Sequence, residues 1–206
     1  MKKFKIGLIK LIIIIGRKTI FGRGYCRKLL ISLVDKILKT INYDISKPLF
    51  LSNFHEFQIY FYADRQTGLK LYFQRNENKE LNFLKKNFKN EYWFIDIGSN
   101  IGLYTLNIAN LNSEKKNIKI LSIEPNPLIF NRLKNNIILL KKKNKFIQNK
   151  AFLVNVAVGD KKKVGYINTK INHENVKVLN KNKFSSRKNY KKIKITKMKT
   201  LIERYK

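Results

Sequence analysis

Cysteine occurs once in this chain, at Cys26, so no disulfide can form within it, and a lone thiol fits a reducing compartment. Histidine occurs twice, and neither His55 nor His173 has an acidic or cysteine partner at ligand spacing, so the sequence offers no metal site. Proline is limited to three positions and no repeat or low-complexity linker interrupts the chain. Long apolar runs are also missing. The strongest, Leu11 to Ile15, falls far short of the ~20 residues that span a bilayer. It follows lysines at positions 2, 3, 5 and 10, but it is short for the apolar core of a signal peptide and Gly16-Arg17-Lys18 after it is a poor cleavage site, so a signal peptide is not expected. These absences predict a cytoplasmic protein, peripheral at most to the inner face of a membrane.

Acidic residues are scarce too, 13 against 45 basic ones, for a net charge of +32. The excess is uneven. Residues 1–50 carry 12 basic and 2 acidic residues, 51–140 carry 12 and 8, and 141–206 carry 21 and 3. Of the basic residues 37 are lysine, accompanied by abundant Ile and Asn, which reads as compositional bias. A specific nucleic-acid site would favour arginine and exposed aromatics that contact phosphates and stack on bases. The charge therefore implies salt-sensitive sticking to polyanions and no specific nucleic-acid partner. Lys141-Lys142-Lys143 and Lys161-Lys162-Lys163 read as solvated turns.

Residues 1–50 read as a basic, partly amphipathic helical extension. In Tyr25 to Ile41, Leu30, Val34, Ile37 and Ile41 recur at helical spacing opposite Lys28, Asp35 and Lys39. Two readings fit: a helix lying on an anionic membrane, or a helix packed on the rest of the protein. Beyond it, Phe57, Ile59 and Phe61 alternate with polar residues, as do Leu69, Leu71 and Phe73, with Thr67-Gly68 between them, which predicts a β-hairpin. A helix over about Asn78 to Phe88 follows, with Leu81, Leu84 and Phe88 on one face.

The most informative stretch is Phe94-Ile95-Asp96-Ile97-Gly98-Ser99-Asn100-Ile101-Gly102. Tyr92 to Ile95 has the continuous apolar character of a strand buried on both faces, and Leu103 to Leu111 reads as a helix, with Leu103, Leu106, Ala109 and Leu111 turned inward. Between them, one glycine lets backbone approach a ligand and the other permits close helix-to-strand packing. The spacing Asp-x-Gly-x-x-x-Gly is not the dinucleotide Gly-x-Gly-x-x-Gly, which argues against NAD and for another adenosine-bearing cofactor. Twenty-two residues after Gly102, the strand Ile118 to Ile123 ends on Glu124, placed to accept hydrogen bonds from both ribose hydroxyls. Asn126 can cap a helix that starts at Pro127 and runs to about Leu140, with Phe130, Leu133, Ile137 and Leu140 inward and Asn131, Lys134, Asn135 and Asn136 wet. A third strand lies within Phe152 to Val158. For Glu124 the plain alternative is a solvated strand end, for Asp160 a turn residue, and for Asn100 a bond to local backbone.

These motifs together resemble the FkbM-type S-adenosylmethionine-dependent methyltransferases, a branch of the class I, Rossmann-like methyltransferases. The resemblance rests on Phe94 to Leu106, on Ile123-Glu124-Pro125-Asn126-Pro127 and on Asn155-Val156-Ala157-Val158-Gly159-Asp160, with Glu80 where the family often has an acidic residue, and it covers roughly residues 75 to 202. It implies an α/β fold in which 51–206 form the N-terminal part of a methyltransferase domain and about 92–160 its cofactor half. S-adenosylmethionine would be held by Asp96, Gly98, Asn100, Gly102, Glu124 and Asp160, the first two at its methionine end and Glu124 at the ribose. The acceptor implied is a hydroxyl, such as one on a sugar of a surface glycan. No residue of this chain can be named as the catalytic base.

After Asp160 the sequence predicts strands over Lys163 to Thr169 and Ile193 to Leu201, joined by a polar, lysine-rich stretch. In the family, a segment like the latter precedes a further core strand with an Asp-x-Glu-Gly motif. The resemblance therefore implies an incomplete sheet, with the strand at Tyr92 to Ile97 lacking a neighbour that a second polypeptide could supply. A noncatalytic remnant or a cofactor-binding subunit is the alternative reading.

Overall fold

The computed structural model describes residues 2–18, 24–44, 46–54, 57–63, 79–88, 93–111, 118–143, 151–169 and 189–205. The chain is a mixed α/β protein that divides into two units, Met1–Glu77 and Asn78–Lys206, so the hairpin region groups with the helical segment and not with the residues after it.

In the first unit, α1 (Lys2–Lys18) and α2 (Gly24–Thr40) precede β1 (Phe50–Phe54) and β2 (Phe57–Phe61). Apolar residues three and four apart drive their packing: Ile9 and Ile13 of α1 are buried with Ile31, Val34 and Leu38 of α2, beside Leu49, Phe61 and Ala63. Leu30, Ile37 and Ile41 pack against the same cluster. The apolar face of α2 is thus occupied inside its own unit. Phe57–Phe61 pairs antiparallel with Phe50–Phe54, a partner the sequence did not suggest, while the expected partner at 69–73 lies outside the described residues, as do His55 and His173. Phe50 opposite Phe61, with rings stacked at 4.6 Å, is the aromatic cross-strand pair that favours this register.

In the second unit, α3 (Lys79–Asn87), with Glu80 exposed in its first turn, leads to a parallel sheet of β3 (Trp93–Ile97), β4 (Lys119–Ile123) and β5 (Ala151–Val154), in the order β3-β4-β5. α4 (Leu103–Leu111) joins β3 to β4, and α5 (Pro127–Lys143) joins β4 to β5. Side-chain alternation gives the sheet two different faces. Trp93 and Ile95, Leu121 and Ile123, and Phe152 and Val154 form one apolar face, covered by Met198, Leu201 and Tyr205 of α6 (Met198–Tyr205). Asp96 and Ser122 lie on the other, bonded to Thr105 of α4. A second sheet is formed by β6 (Ala157–Val158), β7 (Lys163–Asn168) and β8 (Tyr190–Thr196), ordered β6-β8-β7, with β8 parallel to β6 and antiparallel to β7.

Several expectations are corrected. β3 is not buried on both faces: it has β4 on one side only among the described residues, Trp93 to Ile95 are half-buried, and Ile97 is 59% exposed. The strand expected within 152–158 is two strands in two sheets. Between them Asn155 turns to donate its amide to the backbone oxygens of Glu124 and Pro125 at 2.7 and 3.1 Å. The strand expected to reach Leu201 stops at Thr196, because Met198, Leu201 and Tyr205 recur at helical spacing and are needed over the sheet. Leu111 is exposed at the end of α4, and Lys141 to Lys143 close α5 instead of forming a turn. Asn136 is buried, its amide donating to the Ile101 oxygen at 3.0 Å.

Replacing Leu201 by Ala should therefore cost about 2–5 kcal/mol of stability in urea unfolding, while Lys199→Ala on the exposed side of α6 should change it by less than about 0.5 kcal/mol. Equal, small effects would contradict the packing of α6 on the sheet.

Candidate functional site

The carboxyl ends of β3 and β4 are joined by a turn whose amides are almost entirely accounted for. Gly98 N and Ser99 N both donate to the Ile123 oxygen, at 2.8 and 3.0 Å, and Gly102 N donates to the Ser99 oxygen at 2.8 Å. Asn100 N donates to Glu124 Oε2 at 3.0 Å. The Ser99 hydroxyl adds bonds to the oxygens of Asp96 and Ile123. A loop that cradles phosphates needs such amides turned toward the ligand. Here they are committed to the protein, so this turn does not offer those amides as a phosphate cradle.

Three residues of the turn adopt left-handed backbone conformations: Gly98 at φ 79°, Asn100 at φ 51° and Gly102 at φ 94°. The two glycines do different work. A Cβ on Gly102 would lie 2.6 Å from Leu133 Cδ1, so this glycine lets α5 approach the start of α4. A Cβ on Gly98 would meet nothing within 4 Å, and Gly98 is exposed. That open space is where a ligand can reach the backbone.

Asp96 and Glu124 are both buried at this end of the sheet. Thr105 donates to Asp96 Oδ2 through its hydroxyl at 2.7 Å and its amide at 3.2 Å, which caps the first turn of α4 with a negative charge. With the Thr105 hydroxyl hydrogen committed to Asp96, Ser122, 2.6 Å away, donates to Thr105 in turn. Asp96 Oδ1 has no partner among the described residues. Glu124 accepts Asn126 N at 2.8 Å through Oε1 and Asn100 N through Oε2, so each oxygen keeps a lone pair for another donor. Burial pushes the Asp96 carboxyl above its ordinary range, opposed by the two Thr105 bonds. Burial likewise raises Glu124, opposed by the Asn126 and Asn100 amides and reinforced by the charge of Asp96.

Asn126 Oδ1 accepts Leu128 N at 3.0 Å as the cap of α5, while its Nδ2 and the Oδ1 of Asn100 are buried without hydrogen-bond partners among the described residues. A buried amide donor and a buried amide acceptor left unpaired beside the Glu124 turn are costly unless a ligand satisfies them.

Of the residues singled out from sequence, the structure brings Asp96, Gly98, Asn100, Gly102 and Glu124 to one end of the parallel sheet. Asp160 is elsewhere in the hydrogen-bonding pattern: it is exposed just after β6 and approaches Lys163 at 3.8 Å. Thr105, Ser122 and Asn155 were missed as supports of the site. The signal for Thr105 was present, a hydroxyl residue nine positions after the acid on the first turn of the helix. Ser122 carried one too, as a polar residue inside an otherwise apolar strand. Among the described residues no three His, Cys, Asp or Glu side chains lie together as a metal site would require.

Because folding raises both carboxyl groups, their contribution to stability is fully present below the unfolded carboxylate range, about pH 4, and is lost as pH rises through the folded values. Urea unfolding should show wild type losing stability relative to a non-titrating Asp96→Asn/Glu124→Gln variant as pH goes from about 4 to 7. A difference that grew in favour of wild type over that range would contradict the assigned direction. The chain as a whole matches no protein-family model, no curated protein and no solved structure.

Proposed function

We propose that the second unit is the cofactor-binding part of a class I methyltransferase domain of FkbM type, which binds S-adenosylmethionine at the turn between β3 and α4 and serves transfer of its methyl group to a hydroxyl acceptor, such as a sugar. The observation that carries the reading is the Glu124 carboxylate, fixed by one amide on each oxygen and left with an acceptor lone pair on each, beside the open backbone of Gly98. Two acceptor positions on one rigid carboxylate suit the paired hydroxyls of a ribose.

S-adenosylmethionine supplies a methyl already activated on a sulfonium, so the protein's task is to bind, orient and exclude water. In this reading Glu124 accepts the ribose hydroxyl hydrogens, and Asp96, through Oδ1, faces the cationic methionine end, which would draw its buried carboxyl back toward the charged form. Gly98 admits the ligand to the backbone, and Asn100 Oδ1 and Asn126 Nδ2 gain the partners they lack. The acceptor class rests on the resemblance and not on the site.

A noncatalytic cofactor-binding subunit is the second reading. It is favoured by one observation: among the described residues β3 carries no strand beyond it, and Ile97 at its carboxyl end is exposed. In either reading a second polypeptide completing the sheet would pair along that edge.

Isothermal titration with S-adenosylhomocysteine tests cofactor binding and leaves turnover to a separate methyl-transfer assay. Saturable binding should weaken on the order of 10- to 100-fold in Glu124→Gln, since a hydrogen bond to a charged group is worth about 1.5–3 kcal/mol. Gly98→Ala should lose binding while costing about 1–2 kcal/mol of stability, the strain of a side chain at positive φ. A folded wild-type chain that binds no S-adenosylhomocysteine, or binds it as well after Glu124→Gln, would overturn the proposal.

A further inference from the structure

Helix α1 has two apolar faces, and only one is used by the core. Ile9 and Ile13 are buried, and Ile6 and Ile12 pack with them against α2. On another side of the helix Phe4, Leu8, Leu11 and Ile15 are 77, 43, 53 and 49% exposed. Their spacing of four, three and four residues aligns them in one stripe along the helix axis. Single exposed leucines need no explanation, but four aligned large apolar residues on a 17-residue helix form a continuous surface.

Charge narrows what can cover that surface. The helix carries Lys2, Lys3, Lys5, Lys10, Arg17 and Lys18, and no acidic residue precedes Asp35 in the chain. A second copy of the chain laid along the stripe would bring two sets of like charges together. A nucleic acid would take the lysines and leave the apolar stripe in water. An anionic lipid surface accepts both, with phosphates beside the ammonium groups and acyl chains against the stripe. Among the described residues no helix is long and apolar enough to cross a membrane, so such a helix would lie in the interface plane.

We propose that α1 docks the protein on anionic membranes, inserting Phe4, Leu8, Leu11 and Ile15 at the headgroup boundary while its lysines bind lipid phosphates. The expectation that attached membrane contact to α2 moves to its neighbour, since the face of α2 formed by Leu30, Val34, Ile37 and Ile41 is taken up in the core. The proposal does not depend on the cofactor site.

The test is flotation of the full chain with phosphatidylcholine vesicles and with vesicles of mixed phosphatidylglycerol and phosphatidylcholine, comparing wild type with Leu8→Asn/Leu11→Asn. The variant keeps every charge and changes only exposed positions, so its melting should be unchanged. Wild type should float with the anionic vesicles and the variant should partition about tenfold less, the gap persisting at about 0.5 M salt, where screening removes simple attraction. In Leu11→Trp, a blue-shifted emission quenched by brominated acyl chains reports insertion directly. Equal flotation of wild type and variant would mean that net charge alone acts, and would overturn the proposal. So would a chain that floats with neither vesicle, whether it stays monomeric or self-associates through the stripe.

Discussion

Two carboxylates buried at adjacent strand ends are the constraint around which the second unit is arranged. A carboxylate taken out of water must be hydrogen-bonded or give up its charge, and each of these is held by backbone amides from the start of a helix. Asp96 takes Thr105 N from α4, and Glu124 takes Asn126 N beside α5. The third amide, from Asn100, crosses from the glycine turn to Glu124 and ties the two strand ends into one object. The left-handed backbone at Gly98, Asn100 and Gly102 is what brings that amide into place. Asn136 and Asn155 then hold the same turn and the Glu124 end from α5 and from the chain after β5. Among the described residues this heavily supported cluster still keeps a carboxylate oxygen and two amide groups without partners, beside an open space over Gly98.

Much of this was legible in the sequence because local rules and the tertiary fold agree there. A strand running into Asp96 and two spaced glycines allows few geometries, and Asn126-Pro127 announced the start of α5 one residue at a time. What escaped was decided by tertiary contact. Asn136 reads as a surface residue by polarity, and a tertiary bond to the Ile101 carbonyl, 35 residues away, helps to hold it in the interior. Trp93 to Ile95 read by composition as buried on both faces, yet they are only half-buried, because among the described residues β3 pairs with β4 alone. The segment Ile193 to Leu201 alternates like a strand and then changes period at Met198, where the open face of the sheet needs a helix. The pairing of Phe57–Phe61 with Phe50–Phe54 was not sought in the sequence, because no glycine turn stands between them, and the aromatic pair Phe50 and Phe61 across the two strands favours it.

The first unit shows the same logic with charge added. Helical periodicity in α2 identified an apolar face but not its occupant, and the occupant is the core it shares with α1, β1 and β2. In α1 nearly every position is apolar or basic, so no single face stands out until the core residues are removed from consideration. Once Ile9 and Ile13 are assigned to the interior, Phe4, Leu8, Leu11 and Ile15 remain as a second stripe in a helix without a single acid. The overall charge of +32, diffuse as a signal by itself, acquires meaning where it coincides with unburied apolar area.

In the proposed function Glu124 presents two rigid acceptor positions to a ribose. A crystal structure of the chain grown with S-adenosylhomocysteine tests it directly. Both ribose hydroxyl oxygens should lie about 2.5–3.0 Å from the Glu124 carboxylate, with the ligand's methionine end toward Asp96 and its path crossing the open side of Gly98. A bound ligand whose ribose lies away from Glu124, or whose approach leaves Gly98 uncovered, would contradict it.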